Sequence, residues 1–246
     1  MNYKKLKNKI AIITGSARGI GEESARLLAE AGATTIIADI NIEGAKVVAK
    51  NLELKNLKGI PFFLDISEES SVKKMMNEVF KIYGGIDILV NNAGILDPTP
   101  VPEMTQEKWD RMLEINLRGV QFCSQHVLPY MTKNSGGKIV NISSQAGQLG
   151  GFLAGVHYTA AKGGIIALSK AYARYCAQFQ INVNCICPGF MLTEMTQGRK
   201  DDPNVIPLKR LGSALDVAKA VYFLSTDLSD YITGATIDVN GGYYLR

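Results

Sequence analysis

Long apolar runs are missing from this chain: no stretch approaches the ~20 residues needed to span a bilayer, and the lysine-bearing start, with Lys4, Lys5, Lys7 and Lys9, lacks the apolar block of a secretory signal. A soluble, cytoplasmic protein is expected. Cysteine is scarce, and Cys123, Cys176, Cys185 and Cys187 form neither a Cys-x-x-Cys pair nor a Cys/His zinc spacing. Buried reduced thiols are expected, and no metal. A dominant charge is absent, since 27 basic and 23 acidic residues leave a net +4. The N-terminal lysines come without the arginines or aromatics of a nucleic-acid footprint, so no such partner is expected. Proline/serine-rich linkers, low-complexity tracts and repeats are also absent. The 246 residues suffice for a sizeable core and read as a single domain, 1–246.

What is present is an alternation of apolar runs with helical patterns. Strands are predicted near 10–13, 34–38, 59–64, 86–90, 138–142, 181–186 and 236–239. Such alternation predicts an α/β, doubly wound parallel sheet of about seven strands with helices on both faces. Pro61 has no N–H to give a ladder, which puts the third strand at an edge. Ser213-Ala-Leu-Asp216 has the form of a capping box opening a helix.

Open α/β sheets bind ligands beyond the carboxyl ends of their strands, and Gly15, Asp39, Asp65, Asn92, Ser144 and Pro188 all follow strands. The first strand runs into Thr14-Gly-Ser-Ala-Arg18-Gly19-Ile20-Gly21 and then a helical pattern. That arrangement aims backbone N–H groups and the helix dipole at a pyrophosphate. The spacing is Gly-x-x-x-Gly-x-Gly, unlike the common Gly-x-Gly-x-x-Gly fingerprint. Asp39, ending the second strand, is placed to accept from the adenosine ribose hydroxyls and to repel a 2′-phosphate, which favours NAD over NADP; it also suits a turn or N-cap. Arg18 points the other way, because a guanidinium there pairs with a 2′-phosphate.

Tyr158 and Lys162 stand four residues apart, on one face of a predicted helix. A cation beside a phenol favours the phenolate, and bringing a tyrosine down from its usual pKa of ~10 by about three units takes roughly 4 kcal/mol. Such a group exchanges a proton with an alcohol or ketone near neutral pH.

Thr-Gly-x-x-x-Gly-x-Gly, Asn91-Asn-Ala-Gly94, the Ser143-Ser144 pair, Tyr-x-x-x-Lys and Pro188-Gly189 occur in that order over essentially the whole chain. In this the sequence resembles the short-chain dehydrogenase/reductase family. The resemblance implies an oxidoreductase interconverting a secondary alcohol and a ketone by hydride transfer. Tyr158 would be the general acid/base, Ser144 a donor to the substrate oxygen, and Lys162 a ligand of the nicotinamide ribose. Asn116 resembles the asparagine that holds a water linking the lysine to solvent.

For the cofactor it implies Gly15, Arg18, Gly19, Ile20 and Gly21 at the phosphates, Asp65 and Ile66 at the adenine, and Asn92, Ala93 and Gly94 along the adenosine ribose. Pro188, Gly189, Met191 and Thr193 would meet the nicotinamide amide, and a substrate lid would cover about 191–207. Ser144 lies fourteen positions before Tyr158 where many members show thirteen, which leaves Ser143 as its rival. His157 and His126 are expected to be non-catalytic.

Residues 207–212 and 238–242 look like those of the 3-oxoacyl-carrier-protein reductases, the alternative reading. Asp39 opposes their NADPH use, and Ser135 and Phe179 stand where their carrier-docking arginines would be. A non-catalytic nucleotide-binding regulator is the second alternative, although Tyr, Lys and Ser are all retained. Assembly as a tetramer or dimer is implied through helices near 105–131 and 158–179.

Overall fold

The computed structural model describes residues 5–134, 136–151 and 154–245. Along the chain run β1 (Ile10–Thr14), α1 (Gly19–Glu30), β2 (Thr34–Asp39), α2 (Ile42–Glu53), β3 (Lys58–Phe63), α3 (Glu69–Tyr83) and β4 (Ile88–Asn91). The second half holds α4 (Gln106–Leu113), α5 (Gly119–Lys133), β5 (Gly137–Ile142), α6 (Ala146–Leu149), α7 (Val156–Cys176), β6 (Ile181–Pro188), β7 (Met191–Leu192), β8 (Gly212–Ser213), α8 (Ala214–Ser225) and β9 (Thr236–Val239).

Among the described residues seven strands form one sheet in the order β3-β2-β1-β4-β5-β6-β9, every pairing parallel. The apolar runs of β1 and β4 are buried along their whole length because helices cover both faces. One layer of the core joins α1, α2 and α8 to the sheet; the other joins α3, α5 and part of α7. In α3 the inward face is Val72, Met75, Met76 and Val79, a period of three and four residues, and the helix stops where Gly84 takes the left-handed conformation. Pro61 sits in β3, the edge strand, as its missing N–H requires.

The fourth strand begins two residues later than the apolar run suggests. Asp87 Oδ2 accepts the Ile10 N–H at 2.8 Å, so a carboxylate occupies the position of a ladder carbonyl and regular pairing starts at Ile88. The Ser213–Asp216 capping box is formed, with both reciprocal bonds, and opens α8. The long predicted helix 105–131 is interrupted: between α4 and α5 a π-helical turn covers Glu114–Arg118 and carries Asn116.

The strand order reverses direction at β1, whose neighbours are β2 on one side and β4 on the other. Loops leaving β1 and β4 therefore part above the sheet and open a crevice.

Candidate active site

The crevice consists of two adjoining cavities. One, of about 340 Å³, is lined by Gly15, Arg18, Gly19, Asp39, Asp65 and Ile66. The other, of about 290 Å³, is lined by Ser144, Tyr158, Lys162, Pro188, Gly189 and Met191. Ile20, Asn92, Gly94 and Thr193 line both, so the two are continuous. Except for Gly21 and Asn116, the catalytic and cofactor-binding residues expected from the sequence line one or both, Ala93 lining the first.

At the first cavity the chain passes so close to itself that side chains are excluded. A Cβ on Gly15 would lie 2.6 Å from the Ala93 Cα, and one on Gly21 would collide with the Gly15 carbonyl. Gly15 also has φ +64°, which glycine alone adopts without strain. Helix α1 starts directly behind, and its N-cap, Arg18, offers no side-chain acceptor to the first N–H groups. A glycine cradle beneath a helix start free of a side-chain cap fits a dinucleotide pyrophosphate.

Asp39 also lines this cavity. Its Oδ2 accepts from Ala17 N at 2.9 Å and its Oδ1 from Asn41 N at 2.8 Å, which fixes the carboxylate at the strand end. The N-cap of α2 is Asn41, whose side chain accepts from Gly44 N. Arg18 turns to the segment after β7, with Nη1 3.4 Å from Glu194 Oε2. Asp65 is held in a turn, its Oδ1 accepting from Ser67 N at 2.9 Å and Ser67 Oγ at 2.6 Å. The Asn92-Ala93 backbone is fixed through Thr14, whose Oγ1 receives both N–H groups at 3.0 Å. Asn91, by contrast, is buried in the framework and donates to Ser124 Oγ and Asn141 Oδ1.

In the second cavity Tyr158 and Lys162 lie on the first turns of α7, with Lys162 Nζ 5.6 Å from the Tyr158 ring centre. Lys162 is 5% exposed and donates to the Ile142 carbonyl at 2.9 Å. Burial brings its pKa down to about 8. The Tyr158 phenol is pushed upward by burial, with the Ser144 hydroxyl and the Arg199 charge pulling it back. Burial is the largest influence on the Tyr158 phenol, and Lys162 Nζ gives one of its N–H groups to a backbone carbonyl.

The two serines have separate surroundings. Ser143 is buried and donates to the Lys162 carbonyl at 2.7 Å, tying β5 to α7. Ser144 lies beside Tyr158 and accepts from Ala146 N at 3.1 Å as α6 begins. Asn116 is fully buried, and its side chain is engaged with Ile95 in both directions, accepting from Ile95 N at 2.7 Å and donating to Ile95 O at 2.8 Å. It thereby holds the chain that follows Gly94 in place. Met191 lines the cavity with its side chain packed on Gly212, while Thr193 and Thr196 form a small capping box at 193–196.

His126 pairs with Glu69 at 2.8 Å, away from the crevice. His157 is buried with Nε2 3.6 Å from Asp97 Oδ2 and lines neither cavity. All four cysteines are buried and unpaired. Ser135 lies outside the described residues; Phe179 is partly buried in the core against Tyr175, ring centres 5.7 Å apart. The far wall of the second cavity includes Leu96, Leu149, Phe190 and Tyr243, which sequence reasoning did not assign, and Arg199, which falls within the expected lid over about 191–207. These side chains come from four separate segments with no shared spacing, so only the fold brings them together.

A parallel sheet with a glycine cradle at its switch point and a tyrosine, lysine and serine in the adjoining cavity defines a nicotinamide-dinucleotide oxidoreductase. The profile of the family described as "Enoyl-(Acyl carrier protein) reductase" matches residues 15–244. An uncharacterised short-chain type dehydrogenase/reductase of Sinorhizobium fredii is 42% identical over 98% of this chain and 99% of its own. The 3-oxoacyl-[acyl-carrier-protein] reductase FabG of Thermotoga maritima is 38% identical over 98% of this chain and 100% of its own. A crystal structure of a short-chain type dehydrogenase/reductase from Mycobacterium marinum superposes with a TM-score of 0.95 at 31% identity, covering 100% of this chain and 99% of that one. The chain belongs to the short-chain dehydrogenase/reductase family. It is an oxidoreductase of CH–OH and carbonyl groups that uses a nicotinamide cofactor.

Proposed function

We propose that the protein is an NAD(H)-dependent enzyme that interconverts a free secondary alcohol and a ketone, with Tyr158 as general acid/base. The observation that carries this reading is the meeting of Ser144, Tyr158 and Lys162 in one cavity that is continuous with the glycine cradle. The nicotinamide, when bound, accepts or supplies the hydride. Ser144 donates to the substrate oxygen and holds it beside the phenol. In oxidation Tyr158 takes the hydroxyl proton; in reduction it returns one.

Lys162 binds the nicotinamide ribose and brings a positive charge near the tyrosine. Asn116 fixes the Gly94–Ile95 segment beside that lysine and supports the water that links it to solvent. Gly15, Arg18, Gly19, Ile20 and Gly21 hold the pyrophosphate, Asp65 and Ile66 flank the adenine, and Asn92 to Gly94 follow the ribose. Pro188, Gly189, Met191 and Thr193 orient the nicotinamide amide beneath a lid over about 191–207.

NAD is the preferred dinucleotide in this reading. Asp39 is held by two backbone N–H groups where a 2′-phosphate would approach, and Arg18 is turned to Glu194. Reduction of an acyl thioester is the second reading, favoured by the FabG relative and opposed by Asp39 and the apolar, packed Phe179. We further assign one domain over 1–246, a cytoplasmic setting and a homotetramer. The last is supported by an open groove between α4–α5 and α7 lined by Leu113, Leu117, Phe122 and Leu168. No helix among the described residues is long and apolar enough to cross a membrane.

Initial rates with NADH and with NADPH, on an acetoacetyl thioester beside free ketones, test this function. NADH-linked reduction of a free ketone is the expected result. Faster NADPH-linked reduction of the thioester would replace the first reading with the second.

A further inference from the structure

We propose that the substrate bears a carboxylate gripped by Arg199 close to the reacting carbon, so that the enzyme interconverts a short hydroxy acid and its oxo acid. This rests on the dehydrogenase reading above and narrows it.

Arg199 lines the cavity that holds Ser144 and Tyr158. Its guanidinium is braced from two sides. Nη2 lies 3.1 Å from Asp201 Oδ1, and the Asp201 side chain is 7% exposed. The Cζ lies 6.0 Å from the centre of the Phe190 ring, which is itself met edge-on by Tyr243 at 4.8 Å. Asp201 engages one of the guanidinium nitrogens from outside the cavity lining. A guanidinium has five N–H donors in a fixed fork, and a fork oriented in this way suits a carboxylate.

The charge pattern of the wall agrees. Among the described residues the ionic side chains lining this cavity are Lys162 and Arg199, with no carboxylate between them. The rest of the far wall is chiefly apolar, with Leu96, Leu149 and Met195. A wholly neutral substrate would leave the guanidinium nitrogens that Asp201 does not engage without an anionic partner on the cavity side. An acid supplies one. Arg199 and Tyr158 line the same cavity, and the Arg199 charge favours the phenolate. A carboxylate on Arg199 and a carbinol at Tyr158 would therefore share one cavity.

Size points the same way. The cavity of about 290 Å³ also borders the positions assigned to the nicotinamide, so the share left to the substrate is small. Pockets that take drug-sized ligands run to roughly 300–1,000 Å³. In the reaction the carbinol carbon gives its hydride to NAD and the hydroxyl gives its proton to Tyr158. The C–O bond becomes a carbonyl, and the carboxylate is unchanged.

The test measures initial rates with NADH and NADPH on pyruvate, acetoacetate and levulinate, each beside its methyl ester, with cyclohexanone as a neutral ketone. For at least one chain length the acid should exceed its ester in kcat/KM. In Arg199→Met the acid-to-ester ratio should fall roughly ten- to a hundredfold through KM, and Arg199→Lys should recover part of it. The ester serves as the internal control for a folded active site. Esters or cyclohexanone reduced as well as the acids, or a ratio unmoved by Arg199→Met, would overturn the carboxylate while leaving the dehydrogenase reading in place. No reduction of any ketone, acid or neutral, would remove both.

Discussion

Lys162 Nζ donates to the carbonyl of Ile142 at 2.9 Å, which joins the proposed catalytic helix to the end of β5 inside a site where the lysine is 5% exposed. The amine is thus fixed beside Tyr158, and burial holds its pKa at about 8 against 10.5 for a free lysine. Below pH 8 the folded protein carries a buried charge at a penalty. Between pH 8 and 10.5 the unfolded chain binds the extra proton, so this group's contribution to stability improves as pH rises through that window.

Replacing Lys162 by Met separates stability from activity. The penalty removed at pH 7 is on the order of 3 kcal/mol, and loss of the donor to Ile142 O costs about 1–3 kcal/mol. Thermal melts at pH 7 should show a variant at least as stable as the parent and without turnover. Its relative advantage should shrink between pH 8 and 10. A melting point several degrees below the parent's at pH 7 would contradict the penalty.

The direction of the Tyr158 shift gives a pH dependence. Burial favours the neutral phenol, the form that donates in ketone reduction. Reduction should be flat through neutral pH and decline on the alkaline side. Alcohol oxidation requires the phenolate and should rise steadily as the solution is made alkaline. Profiles of kcat/KM in both directions check this, and an oxidation rate that falls from neutral to alkaline pH would count against Tyr158 as the base.

Neighbouring serines should respond differently to alanine. Ser144→Ala removes the proposed donor to the substrate oxygen and should cost about 10²–10³ in kcat, the size seen for a single oxyanion donor, with little change in melting point. Ser143→Ala removes the buried hydroxyl bond to the Lys162 carbonyl that ties β5 to α7, costing about 0.5–1.5 kcal/mol of stability with a smaller effect on kcat. The reverse pattern would move the donor role to Ser143.

Asp39→Ala should narrow the preference for NADH over NADPH by roughly ten- to a hundredfold, chiefly by improving KM for NADPH. The same variant frees Ala17 N and Asn41 N, so NADH affinity should also weaken. An unchanged preference would mean that Arg18 and the glycine loop decide the cofactor.

The sequence carried the sheet and the crevice well, because both rest on local signals. Apolar runs marked strands buried on two faces, Pro61 marked the edge, and the glycine spacing marked the cradle that Ala93 closes. The ordered motifs named Ser144, Tyr158 and Lys162 for the same reason. Two kinds of feature were not legible. The start of β4 depends on a side chain, Asp87, standing in for a backbone acceptor to Ile10. The wall around Arg199 is assembled from distant segments, and the direction of the Tyr158 shift depends on burial, which only packing decides.

The most direct test of the proposed chemistry is Tyr158→Phe, with NADH binding followed by fluorescence titration and turnover followed by NADH oxidation on the best ketone found. The account predicts NADH affinity within about threefold of the parent and a kcat lower by roughly 10²–10⁴, the range for a lost general acid. Turnover equal to the parent's, with affinity retained, would contradict it.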